Sequence, residues 1–280
     1  MVSVTQPLIG VLGGMGPLAT VDFLHKLIAA LPASRDQEHV PTVVWNVPQV
    51  PDRQHALAGT GETPLPAMLA GIARLNAAGA TRIVIPCNTA HLWFDALAAA
   101  SSAPLIHIAD AALAALARAT SPAGPIGLIA TRGALRAEIY QARFAAQGIP
   151  FRTNTDEELD EFFTPGCYAI KNYELARGGK LLEHAGRLLL ERGASRLVLA
   201  CTEVPIGLAH ISSELLPISI DSTLALAEVC VAYWQQCSRS NGECLDSSRH
   251  EVSGGGLRQG KVNCAEISYS FPIICRDRLR

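Results

Sequence analysis

Short apolar runs alternate with amphipathic, alanine-rich stretches over the first 236 residues. The runs are Leu8–Leu12, Thr42–Asn46, Arg82–Ile85, Leu105–Ile108, Ile126–Ala130, Arg196–Ala200 and Ile218–Ile220. Most are rich in β-branched residues and bounded by Gly, Pro or Asn, the pattern of strands buried on both faces. Helical periodicity follows them over Pro17–Leu31, Leu65–Ala78, Ala109–Ala119, Leu135–Gln147, Leu181–Arg192 and Ser222–Gln236. This βαβα alternation predicts an α/β fold in which helices cover mostly parallel sheets.

The alternation also repeats. Leu75–Thr89 reads LNAAGATRIVIPCNT and Leu189–Glu203 reads LLERGASRLVLACTE, with six of fifteen positions identical at an offset of 114. Ile9-Gly10-Val11-Leu12 matches Ile126-Gly127-Leu128-Ile129 at an offset of 117, and Pro104–Asp110 matches Pro217–Asp221. Three matches in one order at nearly one offset predict a duplicated lobe. The expected organisation is a first α/β lobe over 1–110 and a second over 111–221, related by a pseudo-two-fold axis with the active site between them. A C-terminal helix over 222–236 packs back on the lobes. Residues 237–280 break the pattern: Ser238–Asn241, Asp246–Ser248 and Ser253–Gly256 read as loops and only Ile267–Cys275 as strand, so this is expected to be a poorly ordered tail.

Composition narrows the class. Of 280 residues, 49% are hydrophobic and 17% charged, which excludes a disordered polymer. A net charge of -2 supplies neither a basic field for nucleic acid nor a polybasic face for a membrane. The N-terminal residues lack the basic end of a secretory signal, and there is no run of about 18 apolar residues to span a bilayer. The eight cysteines, at 87, 167, 201, 230, 237, 244, 264 and 275, then read as reduced thiols of a cytoplasmic protein.

Two of those thiols stand apart. Cys87 ends the run Ile83–Ile85 and Cys201 ends Leu197–Ala200, at equivalent points of the repeat. Ligand sites in parallel sheets form outside the carboxyl ends of strands. A free cysteine is most often a buried small hydrophobe, but an equivalent pair followed by polar Asn88-Thr89 and Thr202-Glu203 favours reactive thiols. Facing one another, a thiolate and a thiol suit inversion at a carbon acid: one removes a proton, the other delivers one to the opposite face. No metal or carbonyl cofactor is required, provided N–H groups and charges stabilise the carbanion.

Gly13-Gly14-Met15-Gly16-Pro17, Arg35-Asp36-Gln37-Glu38-His39, Pro51-Asp52-Arg53, Pro86-Cys87-Asn88-Thr89-Ala90-His91 and Ala200-Cys201-Thr202-Glu203 occur in this order. Together they resemble the aspartate/glutamate racemase family, most closely its aspartate racemases, over residues 8 to about 236. The glycine turn does not fit a dinucleotide site, because G-x-G-x-x-G is absent. The resemblance implies cofactor-independent, two-base racemisation of a dicarboxylic amino acid in a homodimer. It makes Cys87 and Cys201 the acid/base pair and gives the α-carboxylate to the Asn88, Thr89 and Ala90 segment, mainly through backbone N–H groups. It assigns the side-chain carboxylate to Arg53 and Lys171, and puts Thr131 and Thr202 beside the thiols.

Several residues keep two readings at this level. Arg53 and Lys171 are ordinary solvated cations unless the family pattern holds. His91 is either a base or a structural cap, and Glu203 reads as a helix N-terminal charge rather than a catalytic partner. Cys167 and Cys230 read as inert, although Cys167 falls beside the Lys171 segment. The appended tail and Ala200, where the family usually has Gly, depart from the pattern. Competing functions are a cysteine-pair maleate isomerase, an arylmalonate decarboxylase (which needs only one thiol), and a non-catalytic binding protein for small carboxylates. A zinc site built on Cys87 and His91 at i, i+4 lacks a third ligand.

Overall fold

The computed structural model describes residues 7–119 and 124–250. Its eight strands form two four-stranded sheets in which every pairing is parallel. The first contains β1 (Ile9–Gly13), β2 (Thr42–Asn46), β3 (Arg82–Val84) and β4 (Leu105–Ile106), in the order β2-β1-β3-β4. The second contains β5 (Ile126–Ala130), β6 (Phe151–Thr153), β7 (Arg196–Ala200) and β8 (Ser219–Asp221), in the order β6-β5-β7-β8. The repeat extends to register: Ile9 pairs with Arg82, and Ile126 with Arg196. The fold is therefore the expected α/β pair of similar lobes.

Parallel strands need crossovers, and helices supply them. In the first half these are α1 (Pro17–Ala29), α2 (Arg53–Leu57), α3 (Leu65–Ala77), α4 (Phe94–Ala99) and α5 (Ile108–Arg118). In the second they are α6 (Arg132–Arg136), α7 (Gln141–Ala146), the single turn α8 (Asp156–Glu158), α9 (Thr164–Lys171), α10 (Leu175–Glu191) and α11 (Glu203–His210). The last helix, α12, runs from Ser222 to His250.

Side-chain alternation along the central strands decides what each face packs against. Ile126, Leu128, Ala130, Val198 and Ala200 join Ala112, Leu116, Tyr140 and Phe144 in one apolar cluster. Ile129, Leu197 and Leu199 point the other way, joining Phe163, Ile170, Leu182 and Leu189. In the first lobe Ile83 and Ile85 pack with Met68, Ile72 and Leu75 of α3. Continuing the period of two puts Cys87 on the Ile83/Ile85 face and Cys201 on the Leu197/Leu199 face, and both thiols belong to those clusters.

The structure corrects several element boundaries. β6 has no strong apolar run because it is an edge strand whose residues are half-buried or, at Arg152, exposed. The single helix expected over Leu135–Gln147 is broken between α6 and α7, where Glu138 takes φ +51°. α10 starts six residues earlier than its apolar periodicity suggests, since its first turns hold Gly178 and Gly179. A Cβ on Gly179 would lie 2.4 Å from the Gly207 carbonyl oxygen, so glycine there permits close packing of α10 on α11.

Residues Pro7–Trp234 form one compact unit that contains both sheets. The expected loops at Ser238–Asn241 and Asp246–Ser248 are instead helical within α12. Extending an existing helix fixes one residue per added bond, which polar residues tolerate. Ser253–Gly256 and Ile267–Cys275 lie outside the described residues.

Candidate active site

A cavity of about 360 Å³ lies beyond the carboxyl ends of the strands. Its walls include Met15 after β1, Cys87–Thr89 after β3, Thr131–Gly133 after β5 and Cys201–Glu203 after β7. Asp52–Gln54 and the stretch containing Phe163, Cys167 and Lys171 close the remaining sides. Both lobes thus contribute the same strand ends to one space. Of the residues singled out in the sequence, Cys87, Cys201, Arg53, Asn88, Thr89, Thr131, Lys171 and Thr202 all line it.

Ala90 is the exception. It is fully buried in the apolar cluster with Ile85 and Leu97 and does not line the cavity. The short turn Thr89–Trp93 directs the Ala90 methyl inward, so the segment borders the cavity through Asn88 and Thr89. The Asn88 side chain is also committed elsewhere. Its Oδ1 accepts from the Tyr140 hydroxyl at 2.6 Å, and its Nδ2 donates to Ser222 Oγ at 3.1 Å.

The Cys201 thiol donates to Glu203 Oε2 at 3.1 Å and lies 3.6 Å from Cys167 Sγ. The Cys167 interaction, burial and the charge of Glu203 together hold the Cys201 thiol well above the usual cysteine range. Glu203 opens α11, as a helix N-terminal charge should, but it also lines the cavity against the thiol. Cys167 is likewise part of the wall rather than a remote core residue. Its neighbourhood is legible only in three dimensions, since α9 must pack on the face of β7 that carries Cys201.

Two cations reach the cavity. Burial works against the Lys171 charge, but the Glu203, Cys201 and Cys167 groups outweigh it and raise its pKa. Its Nζ lies 5.1 Å from the Tyr168 ring centroid, a cation–π contact. Arg53, only 8% exposed, uses Nη1 to donate to the Val50 and Pro51 carbonyls at 3.2 and 3.0 Å. Its Nε is buried with no hydrogen-bond partner among the described residues. A buried guanidinium N–H is costly without an acceptor. Asp52 fixes the start of this turn by accepting from Gln54 and His55 N–H at 2.7 and 3.1 Å.

His91 is a structural cap. Its Nε2 accepts from the Ile108 N–H at 3.1 Å, which leaves the proton on Nδ1 to be donated to the Cys87 carbonyl at 2.9 Å. Burial pushes its pKa down to about 4, so the ring is neutral at pH 7. With both nitrogens engaged it has no lone pair for a metal, which removes the basis for a Cys87/His91 zinc site. Among the described residues no group of three or more His, Cys, Asp or Glu is arranged to hold a metal ion.

Comparison with known proteins agrees with this architecture. The family model for Asp/Glu/hydantoin racemases matches residues 12–230. The chain is 26% identical over 231 residues to the broad specificity amino-acid racemase RacX of Bacillus subtilis (strain 168), covering 80% of this chain and 97% of that protein. Among solved structures, the aspartate racemase of Picrophilus torridus superposes with a TM-score of 0.72 at 27% identity, covering 82% of this chain and 94% of the other. The glutamate racemase isoform RacE1 of Bacillus anthracis shares the fold at a TM-score of 0.62 and 18% identity, over 83% and 82% of the two chains.

Proposed function

Since the chain belongs to the Asp/Glu/hydantoin racemase family, we propose that it interconverts the enantiomers of aspartate by proton transfer between Cys87 and Cys201. The observation that carries this reading is the cavity itself: two cysteines from equivalent strand ends share it with the cations Arg53 and Lys171. In the forward step a cysteine thiolate takes the Cα proton and becomes a thiol. The electron pair left on Cα delocalises into the α-carboxylate. The opposing thiol then gives its proton to the other face of Cα and becomes the thiolate, so the product is the enantiomer and the proton count is unchanged. Reversal exchanges the two roles.

The high Cys201 pKa favours its thiol at neutral pH, which suits it to start as the acid in one direction. Thr89, Thr131 and Thr202 offer hydroxyls near the thiols for the α-carboxylate. Arg53 and Lys171 suit the side-chain carboxylate, the first as a fork and the second as a point charge. Buried cations of this kind stabilise developing negative charge more than they would in water. The two-base step needs no cofactor.

The kinship to a broad specificity racemase favours a second reading, in which the side-chain subsite accepts more than dicarboxylates. Proton NMR in D₂O tests both. Loss of the α-proton signal from L- and D-aspartate, faster than from asparagine or lysine, is expected. Binding of aspartate with no exchange overturns racemisation in favour of a carboxylate-binding protein. Equal exchange across acidic, neutral and basic amino acids overturns the dicarboxylate assignment alone.

A further inference from the structure

One side chain in the cavity wall joins the two lobes without belonging to either set of site residues identified above. Gln54, the second residue of α2, extends from the first lobe to the start of α6 in the second. Its Oε1 accepts from the Gly133 N–H at 3.0 Å. That bond fixes the amide orientation, so Nε2 is the atom that donates to Thr89 Oγ1 at 3.2 Å. Thr89 Oγ1 in turn lies 2.9 Å from Thr131 Oγ1, across the lobe boundary, and Thr131 Oγ1 accepts from the Ala134 N–H at 3.1 Å.

Each threonine hydroxyl has one proton to donate and two lone pairs. Thr89 already accepts from Gln54, and Thr131 already accepts from Ala134. If Thr89 donates to Thr131, both Thr131 lone pairs are filled and its own O–H is left over. If Thr131 donates to Thr89, both Thr89 lone pairs are filled and its O–H is left over. Either way one hydroxyl of the pair has both lone pairs occupied and a proton with no acceptor among the described residues. It can only act as a donor, and both threonines line the cavity.

The close approach is built into the sequence. A Cβ on Gly133 would meet Leu57 Cδ1 and, at 3.0 Å, the Gln54 amide, so any other residue there would displace the ends of these two side chains.

We propose that Gln54 is a positioning residue: it clasps the two lobes and, by donating to Thr89, keeps the Thr89/Thr131 hydroxyl pair polarised as a donor for a substrate carboxylate. This rests on the racemase reading for the identity of the ligand, though the clasp itself does not. A role through the hydroxyl pair differs from a purely structural one in its coupling. Removing Gln54 should matter only while the hydroxyls are there to be polarised.

The test is a double-mutant cycle in the full chain, using Gln54→Met, Thr131→Val and the double variant, read by calorimetric titration with aspartate and by kcat/KM. Each single change is expected to weaken aspartate binding by about tenfold, the scale of one hydrogen bond to a charged group. The double variant is expected to stay near tenfold. Independent losses, about a hundredfold in the double variant, overturn the proposal, as does unchanged affinity in Gln54→Met. If Thr131→Val fails to fold because it also removes the α6 cap, Thr89→Val completes the same cycle. Wild-type Cα exchange is measured alongside. Its absence counts against the racemase reading, while coupled binding losses still support the clasp.

Discussion

The two lobes have the same strand order and register and end the same strand in cysteine, yet they finish that turn differently. In the first lobe, the residue four after Cys87 is His91, which links the Cys87 carbonyl to the first N–H of α5. In the second, the residue four after Cys201 is Pro205, which has no polar side chain. There the N-terminus of α12 is capped by Asp221, which accepts from Thr223 and Leu224 N–H at 2.8 and 3.2 Å and also pairs with Lys26 at 2.6 Å. The Cys201 thiol is instead held between Glu203 and Cys167. The backbone scaffold is alike in the two lobes, while the titratable surroundings of the two thiols differ. A reaction with two opposed proton transfers needs matched positions, but not identical electrostatics.

The largest expected effects are at the thiols. Cys87→Ser and Cys201→Ser are each expected to lower racemisation by roughly 10²–10⁴-fold, the usual contribution of a positioned acid or base. Each variant should retain slow deuterium uptake from one enantiomer, and the two should differ in which one. Full racemisation by either variant, followed by circular dichroism of the amino acid, would mean that the lobes do not share the chemistry.

The capping difference makes a stability prediction. Burial depresses the folded pKa of His91 to about 4 from 6.5, so between these values the unfolded chain takes up a proton that the folded chain does not. The His91 contribution is therefore complete above pH 6.5 and lost as pH falls toward 4, amounting to about 3 kcal/mol at 1.36 kcal/mol per pKa unit. Urea unfolding of wild type and His91→Gln across this range should show a shallower decline for the variant. Parallel curves would mean that the imidazole is not held neutral in the first lobe.

The proposed side-chain subsite also draws on both halves, with Arg53 from the first and Lys171 from the second. Arg53→Gln and Lys171→Met are each expected to cut kcat/KM for aspartate roughly ten- to a hundredfold, from about 1.5–3 kcal/mol per charge-assisted bond. Turnover of asparagine should change little. An unchanged aspartate-to-asparagine ratio in both variants removes the case for a dicarboxylate grip.

The smallest effect expected is at Cys167. Because the Cys167 interaction is the first cause of the high Cys201 pKa, Cys167→Ala should lower that pKa. In the direction that uses Cys201 as acid, the alkaline limb of kcat/KM should move to lower pH. In the opposite direction, where its thiolate is the base, activity should rise at lower pH than in wild type. Identical profiles for both enantiomers, measured with and without Cys167, would show that this neighbour does not tune the second lobe.

Much of this was written locally in the chain. The central strands β5 and β7 match their apolar runs residue for residue, because strands buried on both faces leave an uninterrupted hydrophobic signal. The repeat placed Cys87 and Cys201 at equivalent strand ends before any contact was known, since period-two alternation is a property of the backbone alone. Edge strand β6, the break at Glu138 and the glycine-bearing start of α10 were not legible, because each is set by partners from elsewhere in the fold. The same holds at the site. No spacing announces that Gln54 bridges to Gly133, that Cys167 meets Cys201, that Ala90 turns into the core, or that both nitrogens of His91 are engaged. Sequence determined the scaffold and the equivalent places of Cys87 and Cys201 in it, whose information is local and periodic. Hydrogen-bond partners, burial and pKa arise between segments tens of residues apart, and only their packing decided those.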